Sequence, residues 1–371
     1  MPRYFRLMKQ ARSIRTLLPL PALLLGLALA TALTSCVAFQ EGVDRDGIRS
    51  NARSLVERYQ SQTTAGVQSY LDTVSAPWRG HTMPDDLRLE SGNPRPIEHP
   101  RGDGLVHETL RFTSDFGRGE SDDLSELVKE GQFFIYRSEA GYDGQNAVLW
   151  LPGLGFSDLA LRFVDEFFDA ILEEGYILVV YIPPFHLNRL PDGGANNDLL
   201  HPGVVESVER FRAITHEIMT GYQWLKDQGV GRIGAWGGSI GAAALLLAGQ
   251  AVDLDHLAMM IPILDFRTLI PLHPDMHPYL EQLASDGLTS DLVMQAYRHI
   301  SPVAYPLPVL PERTLILAAE HDQLTPLPVI TGYANMHSID AYEIFPNSHA
   351  TILLRGRVYE RYREWLGELT R

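Results

Sequence analysis

At 371 residues the chain is long enough for one large α/β domain or two small ones, and 45% apolar with 21% charged residues is ordinary globular composition. Its 46 acidic residues against 31 basic ones give a formal charge of −15, which argues against nucleic acid as a partner, because nucleic-acid binders are basic. The single cysteine excludes an intramolecular disulfide, and no internal repeat or low-complexity tract is visible.

The first 35 residues differ from the rest. They carry five basic residues (Arg3, Arg6, Lys9, Arg12, Arg15) and no acidic one, followed by an apolar run from Leu17 to Leu33. This is the layout of a secretory signal, to be left out of fold reasoning. The run is also about long enough to cross a bilayer, since a spanning helix needs roughly 20 apolar residues, so an uncleaved anchor is the alternative. Leu33-Thr34-Ser35-Cys36 resembles the bacterial lipobox, in which small residues precede a cysteine that is acylated and becomes the new N-terminus. That resemblance implies a signal peptide over 1–35, lipidation of Cys36 and a body held at a membrane of the cell envelope, facing the periplasm or the surface. Val37, not Asp, follows the cysteine, which in this class favours the outer membrane. Removing residues 1–35 takes the formal charge from −15 to −20. Most of the carboxylates then serve as solvated surface groups.

From Gln40 to about Thr73 the pattern is polar and weakly helical, with Ile48, Leu55, Val56 and Tyr59 on one side, and reads as a spacer or tether. Residues 75–104, with Pro77, Pro84, Pro94, Pro96 and Pro100, read as a long irregular connection. The division is therefore an N-terminal tether and irregular segment over 36–104 and a folded domain over 105–371. Strands are expected at Leu105–Thr113, Gly131–Ser138, Ala147–Leu151, Tyr176–Ile182, Arg232–Trp236, Leu257–Ile263, Thr314–Ala319 and Ala341–Phe345. Helices are expected at Asp158–Glu174, Gly203–Gln228, Ile240–Gly249, near Ser290–His299, and from His349 to Leu369. Alternating strands and helices predict an α/β fold with a mostly parallel sheet covered on both faces, and the continuously apolar strands agree. Residues 265–312 exceed a plain crossover and suggest a small cap or lid insert.

The sharpest local signal is Gly237-Gly238-Ser239-Ile240-Gly241, after the strand RIGAW and before the helix IGAAALLLAG. In that context a serine sits on a strained strand-to-helix turn, the nucleophile elbow, whose glycines avoid the neighbouring strand and helix. A glycine-rich turn with a stray serine is the plain alternative. A serine hydroxyl needs a base to take its proton, and the base is usually a histidine held by a carboxylate. Asp322 follows TLILAA and His349 follows AYEIF, both at carboxyl ends of strands, where open α/β sheets place their ligands. From about Gly131 to the C-terminus the chain is similar to the α/β-hydrolase family, whose order is Ser, Asp, His. The resemblance implies Ser239 as nucleophile, Asp322 in the Asp322-Gln323-Leu324-Thr325-Pro326 turn as acid, and His349 as base. Asp265 and Glu320 are rivals for the acid, in that order, and His321 for the base.

An oxyanion hole would take one N–H from Ile240 and one from the turn Pro152-Gly153-Leu154-Gly155, which resembles the family's His-Gly-x-Gly turn with proline at the first position. Leu154 is the first choice of donor and Gly155 the second. His273 and His277 are four apart, but Pro274 and Pro278 argue against a helix there and hence against a zinc pair. Pro183-Pro184-Phe185-His186 is placed on the pocket rim, and Trp150 and Trp236 in the core. The function expected is a serine hydrolase of carboxylic esters working through an acyl-enzyme, without metal or organic cofactor, on a small-molecule or lipid-like acyl substrate. Peptidase, thioesterase, lipase and acyltransferase of the same fold stay open, because fold does not fix substrate. So do a non-catalytic relative and an envelope lipoprotein that binds a partner through 40–104.

Overall fold

A computed structural model describes residues 37–92, 105–118, 124–269 and 273–369. The leader, Cys36 and the end of the proline-rich connection lie outside the described residues.

Among the described residues, nine strands join in one sheet of order β1-β2-β3-β5-β4-β6-β7-β8-β9. These are β1 (Arg88–Ser91), β2 (Leu105–Thr113), β3 (Glu130–Ser138), β4 (Ala147–Leu151), β5 (Ile177–Ile182), β6 (Ile233–Gly238), β7 (Leu257–Met260), β8 (Thr314–Ala319) and β9 (Tyr342–Phe345). β1, β2, β3 and β5 pair antiparallel, and every pairing from β5 through β4 to β9 is parallel. All residues of β4, β5, β6 and β8 are buried, as continuously apolar strands covered on both faces must be. The chain leaves β4 for β5 on one side and returns to β6 on the other. The carboxyl ends of β4 and β6 therefore flank the switch point where such sheets open a crevice.

Nine helices of eight residues or more are described: α1 (Val37–Glu57), α2 (Thr64–Leu71), α3 (Asp158–Glu173), α4 (Val204–Asp227), α5 (Ile240–Ala248), α6 (His277–Ser285), α7 (Ser290–Arg298), α8 (Leu327–Met336) and α9 (Gly356–Leu369). α3 and α9 cover one face of the sheet, with Phe167, Phe168, Tyr362 and Trp365 in its core. The others pack over the opposite face. Every residue of α5 is buried, which is why its sequence is apolar on all sides rather than striped.

The structure corrects the sequence reading in several places. The stretch read as a tether is α1, which buries Ile48, packs Ala52 and Leu55 into the main core, and buries Gln40 and Asp44 beside the loops that end β8 and β9. β1 lies within the stretch read as irregular and pairs with β2, so the folded body starts before residue 105. The 265–312 stretch contains α6 and α7, which pack on α1, α2 and α4. α6 begins at His277 with Pro278 in its first turn, where proline's missing N–H costs nothing, so the two prolines mark a helix start rather than a loop. α9 begins at Gly356, which leaves His349 in a loop.

Candidate active site

β6 ends at Gly238, and the chain reverses at Ser239 with φ 51° and ψ −114°, a conformation that non-glycine residues avoid at a cost of about 1–3 kcal/mol. Tertiary contacts hold it there. Ser239 N–H donates to the Met260 carbonyl (2.8 Å), and Ile263 N–H donates to the Ser239 carbonyl (3.2 Å). α5 starts at the next residue, and a Cβ on Gly241 would lie 2.5 Å from the Pro152 carbonyl oxygen. One on Gly237 would meet Ala242 Cα at 2.8 Å. Gly238 differs from the expectation: its nearest neighbour would be Met260 Cε at 3.5 Å, an ordinary contact, so the elbow does not need a glycine there.

His349 Nε2 lies 2.8 Å from Ser239 Oγ, and His349 Nδ1 lies 2.8 Å from Asp322 Oδ2. The Asp322 side chain is fully buried at the end of β8. Its Oδ1 accepts the N–H groups of Leu324 (2.8 Å) and Thr325 (2.7 Å), and its Oδ2 accepts the Thr325 hydroxyl (2.6 Å). Two backbone amides and a hydroxyl thus fix the carboxylate, which accepts a hydrogen bond from Nδ1–H of the imidazole. That tautomer, assigned from the partner, leaves Nε2 as the acceptor facing the serine hydroxyl. Burial acts to lower the His349 pKa, but the charge and hydrogen bond of Asp322, with the charge of Asp44, outweigh it and raise the pKa above the usual imidazole value.

The rivals stand elsewhere. Asp265 is held by Arg267 in a two-pronged ion pair (2.8 and 2.8 Å). Glu320 is exposed, and its nearest basic group is the imidazole of His321 at 4.0 Å. The structure brings Ser239, Asp322 and His349 together and leaves Asp265, Glu320 and His321 out.

The turn after β4 approaches the serine closely. A Cβ at Gly153 would lie 3.2 Å from Ser239 Cβ, and Gly155 adopts φ 82°, a left-handed conformation suited to glycine. The Gly155 N–H donates to His186 Nε2 (3.1 Å), so it is already engaged and the second-choice oxyanion donor drops out. Ile240 is the first residue of α5, where an N–H has no intrahelical acceptor.

His186 was placed on a rim and is instead completely buried. Its Nδ1–H donates to the Pro184 carbonyl (2.8 Å), which leaves Nε2 as the acceptor for Gly155. Burial pushes its pKa down to about 4, so the ring is neutral at pH 7. The loop that carries it is anchored by Arg189, also fully buried, in a two-pronged bond to Glu217 of α4 (2.6 and 2.9 Å). Arg189 further donates to the carbonyls of Ile182 (2.8 Å) and Val128 (2.6 Å), and Tyr181 and Ser114 hydroxyls donate to Glu217.

Among solved structures, acetyl xylan esterase 1 from Thermoanaerobacterium sp. JW/SL YS485 is similar over 85% of this chain and 98% of that one, with a TM-score of 0.54 and 14% identity. The fold is that of the α/β-hydrolases. Two further similar structures are the S-formylglutathione hydrolase of Agrobacterium tumefaciens and the acylaminoacyl peptidase of Pyrococcus horikoshii. The first has a TM-score of 0.45 and 15% identity over 74% of this chain and 99% of that one. The second has a TM-score of 0.46 and 16% identity over 70% of this chain and 41% of that one. No family model and no curated protein matches the sequence.

Residues near the site that the sequence reading did not single out are Asp44, Gln40, Arg189 and Glu217. One signal for the first two was available. Gln40, Asp44, Ile48 and Ala52 recur every four residues, so two polar side chains share the buried stripe of α1.

Proposed function

We propose that the protein is a serine hydrolase that cleaves carboxylic esters with apolar acyl groups through an acyl-enzyme. The observation that carries this reading is the single imidazole bridging a strained serine and a buried carboxylate at 2.8 Å on each side. In this reading Ser239 Oγ attacks the ester carbonyl carbon as its proton passes to His349 Nε2. Asp322 holds the ring and stabilises the imidazolium. The oxyanion is met by the N–H groups of Ile240 and of Leu154, the first-choice donor of the turn, since the Gly155 N–H is taken up by His186. The tetrahedral adduct collapses, the C–O bond to the leaving alkoxide breaks, and that oxygen takes the proton from Nε2. Water, deprotonated by the same nitrogen, then attacks the acyl carbon and frees Ser239.

The acyl preference is supported by a cavity of about 400 Å³ next to the elbow, lined by the backbone of Gly153 and Gly238 and by Trp150, Phe156, Val164 and Trp236. Its size falls in the range of small-molecule sites, and its walls are almost wholly apolar. Trp150 and Trp236 stack at 5.3 Å as its floor, and so serve the site as well as the core.

The test is hydrolysis of p-nitrophenyl esters of increasing acyl length, with labelling by a fluorophosphonate probe. The wild type should label at Ser239 and turn over esters, and Ser239→Ala should do neither while keeping its melting temperature. Turnover by Ser239→Ala at the wild-type rate would refute the assignment.

Envelope anchoring through acylated Cys36 is part of the same proposal and rests on the Leu33–Cys36 box. Among the described residues no helix is long and apolar enough to cross a membrane. Cys36→Ala should release the protein from the membrane fraction, whereas continued pelleting would favour an uncleaved anchor.

A further inference from the structure

We propose that Asp44 of α1 is a positioning residue for the acid–base pair, clamping the Asp322 loop and the His349 loop onto one carboxylate. The inference rests on the hydrolase reading above and extends its machinery to the N-terminal helix. Asp44 is 2% exposed. Its Oδ2 accepts the N–H of His349 (2.9 Å) and of Gln323 (3.1 Å), and its Oδ1 accepts the N–H of Ala350 (3.0 Å). One of these donors is the backbone of the base itself, and another belongs to the residue directly after the acid. Chain separations of 279 and 305 residues are closed through a single side chain.

One turn earlier on the same helix, Gln40 reaches the same loop. Its Nε2 donates to the Pro346 carbonyl (3.4 Å) and its Oε1 accepts the Thr351 hydroxyl (3.3 Å). Residues 346–351 are therefore gripped from α1 on both sides of His349.

A carboxylate suits this place better than any neutral side chain. The three amides sit beyond the ends of β8 and β9, where no ladder partner continues. Left unpaired and buried, each would cost about 1–3 kcal/mol. An ionised carboxylate offers about four acceptor sites and no donor. An asparagine would satisfy part of the set and turn its NH2 against a remaining N–H. The catalytic consequence follows from distance. The imidazole must keep 2.8 Å contacts on both sides, and a displacement of about 1 Å in such a site costs on the order of 100-fold in rate.

The negative charge has an effect of its own. It lies beside the ring that becomes cationic when Ser239 loses its proton, and so favours that state. The ionisable groups around His349 are Asp322 from the β8 loop and Asp44 from α1. His273, ahead of α6, feels the charges of Asp275 and Asp322.

The experiment uses the full chain with Asp44→Asn and Asp44→Ala, each compared with wild type for ester turnover, pH profile and fluorophosphonate labelling of Ser239. For a folded Asp44→Asn we expect kcat to fall on the order of 10- to 100-fold with KM within about twofold. We expect the acid limb of kcat/KM to move to lower pH by on the order of half a unit, because a charge that favoured the imidazolium is gone. A purely structural role would lower the amount of folded enzyme without moving that limb. A folded Asp44→Asn with wild-type kcat and an unmoved limb overturns the proposal.

Should both variants fail to fold, hydrogen exchange on the unsubstituted protein decides. The amides of Gln323, His349 and Ala350 should become exchangeable together with those of α1. Protection of these amides while α1 exchanges freely overturns the clamp. A wild type that neither turns over esters nor labels at Ser239 fails the hydrolase reading itself, and is distinguished from failure of the clamp by the wild-type control alone.

Discussion

His186 gives the most quantitative handle on the site, because two separate effects meet on one ring. In His186→Leu the apolar volume is kept, but the acceptor for the Gly155 N–H is lost. A buried amide left without a partner costs about 1–3 kcal/mol, and that is the expected loss of stability at pH 7.5. The turn it steadies also carries Leu154, so kcat for an ester should fall about tenfold. That is less than the 10²–10³ seen when an oxyanion donor is itself removed. The pH dependence separates this account from simple loss of packing. In the folded protein the His186 pKa is depressed to about 4, against an ordinary value of 6.5. A depressed pKa contributes stability that is fully present above the unfolded value and lost as pH falls toward the folded one. That contribution therefore fades between pH 6.5 and pH 4 and amounts to roughly 3 kcal/mol. The leucine variant has no such contribution to lose. Urea denaturation of both proteins across that window should show the stability gap closing, and reversing at its acid end. A gap that stays constant from pH 7.5 to pH 4 would show that His186 is not held neutral in the fold, and the argument for its role as an obligate acceptor would fall.

Other substitutions test the remaining parts. His349→Ala should abolish ester turnover while His321→Ala leaves it within a few fold, and the reverse outcome would move the base. Gly241→Ala places a Cβ 2.5 Å from a backbone oxygen that cannot yield easily, so it should cost about 3 kcal/mol or more, read as a loss of melting temperature, with expression at wild-type stability as the contrary result. Glu217→Gln leaves Arg189 buried without its counter-charge and should destabilise the protein by about 3–5 kcal/mol, measured by urea denaturation. Because Arg189 also ties down the His186 loop, that variant should lower kcat more than it raises KM.

The sheet and the triad were legible in the sequence for different physical reasons. Buried parallel strands must be apolar on both faces, so AVLWL, ILVVYI and TLILAA announce themselves without context. The elbow is legible because a serine at positive φ, pressed against a helix, requires glycine at Gly237 and Gly241, and these leave a fixed spacing. Asp322 could be placed because it closely follows such a strand, TLILAA, whereas β9 ahead of His349 is only partly buried and the histidine was placed by the family order Ser, Asp, His. The failures have a common cause as well. β1 is exposed at all four positions and pairs only at the sheet edge, so it carries no apolar signature. α1 was read as a tether because its buried stripe includes Gln40 and Asp44, and polar residues there look like solvent-facing ones until their partners are known. His186 was put on a rim rather than in the interior, and the Arg189–Glu217 pair was missed, in the same way. A buried polar group is recognisable only from the groups it satisfies, and the decisive ones here, Glu217 for Arg189, Gly155 for His186 and the three amides for Asp44, lie 28 to 306 residues away along the chain.

That cause bears on where the chain can be cut. A truncation starting near residue 105, which the division into tether and domain would make harmless, removes α1, α2 and β1. It removes the buried side chains of Ile48 and Leu55, at about 1.5–3 kcal/mol each, and strips the acceptors from the amides of Gln323, His349 and Ala350. The sum is of the same size as the 5–15 kcal/mol that holds an ordinary domain together. A protein beginning at Val37 should therefore be soluble and should label at Ser239, while one beginning at residue 58 should aggregate or remain unlabelled. If the chain from residue 58 labels at the wild-type rate and melts at the wild-type temperature, the N-terminal helix is a passenger and the clamp through Asp44 has no catalytic weight.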